Sequence, residues 1–276
     1  MISVLILTRN EELDLPACLQ SVAFSDDIHV FDSESTDRTP EIARSFGAHL
    51  TTRAFDTYAA QRNAALQLPF KHPWLLVLDA DERPTPALIA EIESTLPTTP
   101  DAIGAYRIRR RDFLWGTWLK HAQMSPFYVR LLRVGRVHYT RDVNEVAEVT
   151  GETGELTQPF DHHPFSKGIT HWVDRHNRYS TKEAELLAAG TFLHDASLQR
   201  ALFARNFHDR RIAQKAIFYR MPARPIIKWF YLMFVRGALL DGPAGLMYST
   251  LQSFYEFLID IKCREILRAR AGKSAD

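Results

Sequence analysis

Residues 75–83 read LLVLDADER, an apolar run that turns abruptly into acids. With Trp74 in front, WLLVLDA (74–80) is apolar at nearly every position, as strands buried on both faces are, and this predicts a mostly parallel sheet. Two related runs precede it, ISVLILT at 2–8 and DIHVFDS at 27–33. Helical patterns lie between them at 13–23 and 39–47. The second has Asp37 or Thr39 as its cap, Pro40 in its first turn and Gly47 as its stop. A short strand near 48–52, a helix around 57–67 and a proline-led helix over 82–96 continue the alternation. Strands and helices at this spacing predict a doubly wound α/β domain.

The pattern changes after residue 100. AYRIRRRDF (105–113), FYVRLLRV (127–134) and the stretch 136–149 read as half-buried strands rich in aromatics and arginine. From about 168 the pattern is helical to the end, broken near Gly190, at Pro222 and Pro225, and at DGPAG (241–245). The expected organisation is a nucleotide-binding and catalytic domain over 1–165, including acceptor-facing strands, and a helical C-terminal region over 166–276. At 276 residues the chain can bury a full core, and a net charge of +1 gives no reason to expect nucleic acid as a partner. Cys18 and Cys263 lie far apart, match no metal spacing and are expected as free thiols in a reducing cytoplasm. The N-terminus does not read as a secretory signal, and Lys228 and Arg236 interrupt the longest apolar run, 225–240, so it is not expected to span a membrane.

Three acid-bearing segments fall at predicted strand ends: Glu11 and Glu12, Asp32 to Asp37, and Asp79 to Glu82. In open α/β sheets ligands sit outside the carboxyl ends of the strands. Acids gathered on one rim repel one another unless a hard cation carrying a diphosphate joins them. Mg²⁺ or Mn²⁺ is such a cation, taking one or two carboxylates plus phosphate oxygens. In D-A-D, Asp79 and Asp81 flank small Ala80, so one carboxylate can meet the metal and the other the neighbouring ribose. Alternatively, Asp81 and Glu82 cap the helix that follows. Asp32 ends its strand and can accept a hydrogen bond from a base N–H, one way to recognise uracil. Arg62 lies on a helix near the same rim, either on the diphosphate or as a solvated surface arginine.

ILTRNEE (6–12), VFDSESTD (30–37), AAQRNAAL (59–66) and LVLDADER (76–83), in this order and spacing, resemble the inverting family 2 glycosyltransferases with the GT-A fold. FLWGTWLKH (113–121), RLLRVGRVHYTRDVNE (130–145), DHHPFSKGI (161–169) and LLDGPAGLMYS (239–249) are similar to one branch of that family. That branch comprises the heptose β-1,4-glucosyltransferases of lipopolysaccharide core assembly and their exopolysaccharide relatives. The resemblance implies that Thr8, Arg9, Asn10, Glu11, Asp32, Ser35, Arg62, Asp79, Ala80 and Asp81 line the nucleotide-sugar site. Asp32 would meet uracil, Asp79 the ribose and Asp81 the metal. Arg9 stands where the family often has an aromatic residue. The branch's His-Glu pair reads Asn144-Glu145 here, so Glu145 carries over as the catalytic base and the histidine does not; Asp142 and Glu148 are the alternatives.

The implied reaction moves a hexose, glucose by resemblance, from a UDP-sugar to a saccharide or lipid-linked saccharide acceptor. Two other classes compete. A sugar nucleotidyltransferase would carry a glycine-rich loop where this chain has TRNEELDLP, and a non-catalytic binding subunit would be expected to lose Asp81 or Glu145. No Walker A, G-x-G-x-x-G or G-x-S-x-G motif is present. The spacings of His162, His163, His171 and His176 fit no standard zinc pattern; His121, His162 or His163 could touch acceptor or phosphate. The helical region mixes aromatics with Arg and Lys, and is expected to serve as an interfacial surface, a subdomain packed on the sheet or a dimer contact. In the first case Phe218, Trp229, Tyr231 and Phe234 would enter lipid, and Arg220, Arg224, Lys228 and Arg236 would meet headgroups at the inner face of the cytoplasmic membrane.

Overall fold

The computed structural model describes residues 1–123, 127–140, 145–190, 197, 199, 201 and 207–272, with only the backbone over 207–212. The chain forms two compact units, one of Met1–Phe113 with Ser125–Ser166, the other of Leu114–Met124 with Lys167–Asp276.

In the first unit, β1 (Ser3–Thr8), β2 (Ile28–Asp32), β3 (His49–Thr52) and β4 (Trp74–Asp79) run parallel in the order β3-β2-β1-β4. The near-continuous apolar run of β4 has the expected cause. Trp74, Leu76 and Leu78 enter one core with Val4, Ile6 and Leu88, while Leu75 and Val77 enter another with Leu5 and Phe31. Helices α1 (Leu15–Ser21), α2 (Thr39–Ser45) and α3 (Tyr58–Ala65) connect these strands. Asp37 accepts the Thr39 amide at the start of α2, and Thr57 caps α3 through the Ala60 amide.

After β4 the chain turns into β5 (Glu82–Pro84) and then α4 (Pro86–Thr95). The cap of α4 is Thr85, whose hydroxyl accepts the Leu88 amide, so Asp81 and Glu82 are not spent on capping. Strands β6 (Ile103–Leu114) and β8 (Phe127–Arg133) add antiparallel pairings that extend the sheet, with β7 (Thr117–Trp118) between them in sequence. Strands β9 (Val137–Thr140) and β10 (Val146–Val149) form a separate hairpin, so the stretch expected as one strand is two. Strands β11 (Glu152–Glu155) and β12 (Phe160–His162) both lie parallel to β6, and β12 closes on β5. The short strands β5, β11 and β12 escape a periodicity reading because three or four residues cannot show a period.

The second unit holds α5 (Gly168–Ala188), α6 (Phe207–Arg220), α7 (Arg224–Phe230) and the long α8 (Gly242–Arg270). A π-helical turn, Tyr231–Val235, prolongs α7, and a 3₁₀ turn, Ala238–Asp241, leads into α8. Lys262 on α8 donates to Asn177, Ser180 and Thr181 on α5, which clasps the two helices. No helix among the described residues is long and apolar enough to cross a membrane. Cys18 and Cys263 are free thiols.

Candidate active site

The chain lays down β1, β2 and β3 outward in one direction and then returns to place β4 on the other side of β1. That reversal lies between β1 and β4, and a ligand crevice belongs outside the carboxyl ends of strands at such a point. Register puts Thr8 opposite Asp32 and Leu7 opposite Asp79, so the predicted acids share one rim.

On the β1–β2 side the acids organise the loops. Asp32 is wholly buried. Its Oδ1 accepts the Thr8 hydroxyl at 2.8 Å and the Ser35 hydroxyl at 2.5 Å, and its Oδ2 accepts the Ser35 amide at 2.8 Å. Asn10 and Glu34 adopt left-handed backbone, with φ of 56° and 55°. Asparagine tolerates this conformation. The Asn10 amide donates to the Ser35 hydroxyl at 2.7 Å, and its side-chain oxygen accepts the Thr36 amide at 2.8 Å. The Glu11 amide donates to Thr39. Arg9 lies over the Phe55 ring, 5.5 Å from its centroid.

On the β4 side an ion cluster forms. Arg62, from α3, donates through Nη2 to Asp79 Oδ1 at 2.9 Å and through Nε to Glu145 Oε1 at 3.0 Å. Arg130, from β8, donates to Asp79 Oδ2 at 2.8 Å and to Glu82 Oε1 at 2.5 Å. Glu82 Oε2 in turn accepts the Asp79 amide at 3.0 Å. Both arginine side chains are under 10% exposed and Glu82 is fully buried, whereas Asp79 keeps 37% of its side chain open. Burial would raise the Asp79 carboxyl, but Arg62 and Arg130 hold it well below the usual carboxylate range. For Glu82 burial wins over Arg130, and its carboxyl is pushed up. Asn63, next to Arg62, ties α3 to the β9–β10 hairpin through paired bonds with the Tyr139 backbone, both 2.7 Å. That hairpin carries Glu145 to Arg62.

Asp81 is directed to a different partner. Its Oδ2 lies 3.2 Å from His162 Nε2, and His162 Nδ1 meets Asp112 Oδ1 at 2.5 Å. Burial opposes a charged imidazole there, but Asp81 and Asp112, one on each nitrogen, push its pKa up to about 9. Asp81 and Asp112 thus bracket the His162 ring, one carboxylate on each nitrogen. A carboxylate on one nitrogen, as Asp112 is here, is the usual surrounding of a metal-binding histidine. Among the described residues no third acidic, histidine or cysteine side chain completes a cage. Asp81 and His162 are the two side chains here that could hold a cation, whose other positions phosphate oxygens and water could fill, as at Mg²⁺ and Mn²⁺ sites.

The sequence-predicted residues divide accordingly. Thr8, Asn10, Glu11, Asp32 and Ser35 form one hydrogen-bonded rim. Arg62, Asp79 and Glu145 form a second group, next to Ala80 and Asp81. Asn144 and Asp142 lie outside the described residues; Glu148 bonds to Thr140 on the hairpin. Sequence reading did not single out Arg130 or Asp112, and offered Glu82 only as a strand-end acid or a helix cap. A signal existed, since Arg130 and Asp112 place charge at inward-facing positions of predicted strands, where only a paired charge is tolerated.

A mostly parallel α/β sheet with acid-bearing loops at its switch point and a helical C-terminal region is a GT-A-type architecture. Residues 3–149, just over half of the chain, match the glycosyl transferase family 2 model, and the chain belongs to that family. An uncharacterized glycosyltransferase of Rickettsia prowazekii (strain Madrid E) is 34% identical over 279 residues, covering 96% of this chain and 87% of the relative. The lipopolysaccharide core biosynthesis glycosyltransferase LpsC of Rhizobium meliloti (strain 1021) is 25% identical over 279 residues, covering 98% and 94%. Among solved structures, glucosyl-3-phosphoglycerate synthase from Mycobacterium tuberculosis, in complex with Mn²⁺, UDP and glucosyl-3-phosphoglycerate, overlaps 41% of this chain and 43% of its own. That match has 21% identity and a TM-score of 0.33.

Proposed function

We propose that this family 2 glycosyltransferase inverts configuration as it moves a hexose from a UDP-sugar to a saccharide acceptor of the cell envelope, a lipopolysaccharide core or a lipid-linked saccharide. The observation that carries this reading is the meeting of Asp79, Arg62 and Glu145 at the β1–β4 switch point, with Asp81 two residues on from Asp79 and facing His162. Family membership supports sugar transfer, and the LpsC relative supports an envelope polysaccharide as the product.

In this reading the rim from Thr8 to Ser35 holds the nucleoside. Asp32 shapes the base pocket, and it can meet a uracil N–H once Ser35 releases one of its oxygens. Asp79, fixed from behind by two arginines, offers its open side to the ribose. Arg62 keeps a buried Nη1 without a hydrogen-bond partner, a reserve donor suited to the anionic diphosphate. Asp81 and His162 would hold the cation, and an imidazole donor favours Mn²⁺ over the harder Mg²⁺. When bound, that ion offsets the charge growing on the leaving diphosphate.

Glu145 takes the proton of the acceptor hydroxyl, whose oxygen bonds to the anomeric carbon as the bond to the diphosphate breaks on the opposite face. Arg62 holds the Glu145 carboxylate in place before the acceptor arrives. UDP leaves, and charge on the ring is oxocarbenium-like along the way.

The test is release of UDP from a panel of UDP-sugars with Mn²⁺ or Mg²⁺ and a truncated core saccharide. Turnover should require acceptor for full rate, and Asp81→Ala should remove metal-dependent UDP binding. Binding of a UDP-sugar without turnover under any condition would instead favour a non-catalytic subunit. Formation of UDP-sugar from a sugar phosphate and UTP would identify a nucleotidyltransferase.

A further inference from the structure

Two stretches of sequence, FLWGTWLKH (113–121) and LLDGPAGLMYS (239–249), have no role in the reaction described so far. One residue of each, His121 and Asp241, meets the other within the second unit. Asp241 closes the 3₁₀ turn Ala238–Asp241 just before α8, and its side chain is only 3% exposed. Its Oδ2 accepts the amides of His121 at 2.9 Å and Ala122 at 2.7 Å, and its Oδ1 meets His121 Nδ1 at 2.6 Å. Both oxygens of a buried carboxylate are thus spent on one short segment of chain.

Glycines of the second stretch hold that carboxylate in place. Gly242 follows Asp241 at φ 63° and ψ −144°, backbone that is essentially confined to glycine. A Cβ on Gly245 would stand 2.0 Å from the Ala238 carbonyl oxygen and 2.9 Å from the Asp241 Cβ, so only glycine lets the first turn of α8 lie against the 3₁₀ turn. The two amide bonds alone would anchor the segment. The bond to Nδ1 does something more, because it fixes the ring. A carboxylate only accepts, so in the neutral imidazole Nδ1 carries the hydrogen and Nε2 presents its lone pair. No described residue bonds to that Nε2, and 33% of the side chain is open to solvent.

We propose that His121 binds a hydroxyl group of the saccharide acceptor, with Nε2 accepting the hydroxyl hydrogen and Asp241 holding the ring in the tautomer that can do so. An outward lone pair selects a ligand that brings a hydrogen to it. An ionised carboxylate or a phosphodiester brings none. A cation would need further ligands, and among the described residues no group of three acidic, histidine or cysteine side chains could hold one. Hydroxyl groups remain, and the family to which the chain belongs transfers sugars. His121 touches the acceptor in this account, and Asp241 is a positioning residue that acts through it. The inference rests on the proposed transfer to a saccharide and adds a contact to the acceptor, not to the nucleotide.

Long-range proton–nitrogen NMR of the imidazoles reads the tautomer directly, with His121→Gln assigning the signal. His121 should show a protonated Nδ1 and a bare Nε2, and the reverse overturns the proposal. Asp241→Asn keeps an oxygen for the two amides and turns a donor toward Nδ1, so the signal should switch to the Nε2–H tautomer. Titrating a truncated core saccharide into the UDP-loaded full chain should move the Nε2 resonance of His121. In transfer assays His121→Ala and Asp241→Asn should each raise the acceptor KM roughly 3–10-fold, the worth of one neutral hydrogen bond. The change in kcat should be smaller, and UDP affinity by calorimetry should be retained. His121→Gln, whose amide oxygen can accept where Nε2 did, should recover part of the loss. If Asp241→Asn fails to fold, His121→Ala still decides, because both amides keep Asp241. Saccharide binding that leaves the His121 signals unmoved, or transfer with an unchanged KM in His121→Ala, ends this inference and leaves the proposed transfer standing. Neither saccharide binding nor transfer ends both.

Discussion

Replacing Arg130 with methionine should destabilise the sheet unit by about 3 kcal/mol. Arg130 reaches Asp79 and Glu82 from a position 6% exposed, and Glu82 itself has no exposure. Methionine retains much of the aliphatic volume, so the loss is mainly electrostatic. Removing one partner of a buried ion pair costs about 3–5 kcal/mol. The lower end applies because Arg62 still pairs with Asp79. For a unit of this size the unfolding midpoint should drop by roughly 6–12 °C. Adding Glu82→Gln should recover about half of the loss, since glutamine removes the stranded charge and keeps an acceptor for the Asp79 amide. The pH dependence has a definite sign. The folded pKa of Glu82 is already raised above its ordinary value. Protonation of this group therefore favours the folded state, fully at low pH and less as pH rises through the folded value. Without Arg130 that pKa climbs further, so the deficit of R130M should narrow as pH falls from neutrality. Thermal or urea unfolding of the wild type, both single variants and the double variant closes the cycle. A loss under about 1 kcal/mol for R130M, or no coupling to E82Q, would refute a buried charge cluster as the support of Asp79.

Glu145→Gln should lower kcat by about 10²–10⁴ with UDP affinity retained; a fall of less than tenfold in single-turnover assays moves the base to Asp142 or Glu148. Asp112→Asn, which disturbs the bond on His162 Nδ1, should weaken Mn²⁺ binding in the presence of UDP by about 10–100-fold by calorimetry, and unchanged affinity would remove His162 from the metal set. His176 stacks on Trp172 at 3.5 Å and donates to the Trp172 carbonyl, and burial, reinforced by Arg175, depresses its pKa to about 4. The unfolded chain then binds a proton that the folded chain refuses, so stability should fall by about 1–2 kcal/mol, discounted for partial exposure, as pH drops from the ordinary value near 6.5 toward 4. His176→Gln should flatten that slope in thermal unfolding.

The alternation of buried strands with helices and the position of Asp79 and Asp81 at a strand end were legible in the linear chain, whereas the reversal that brings LLVLDADER beside the first strand was not. The two legible features depend on period and local register, which a sequence carries directly. The acid on the second strand was legible as well, but its burial under Thr8 and Ser35 was not, because hydrogen bonds between loops 24 residues apart leave no periodic trace. The same limit hid the partners that define the candidate site. Arg130 is 51 residues from Asp79, Glu145 is 83 from Arg62, and Asp112 is 50 from His162. Sequence alone determined which strand ends carry acids. Tertiary structure decided that Asp79 rests on two buried arginines while Asp81 faces an oriented histidine, because compensation of buried charge is settled by whichever distant elements the fold brings within hydrogen-bond reach.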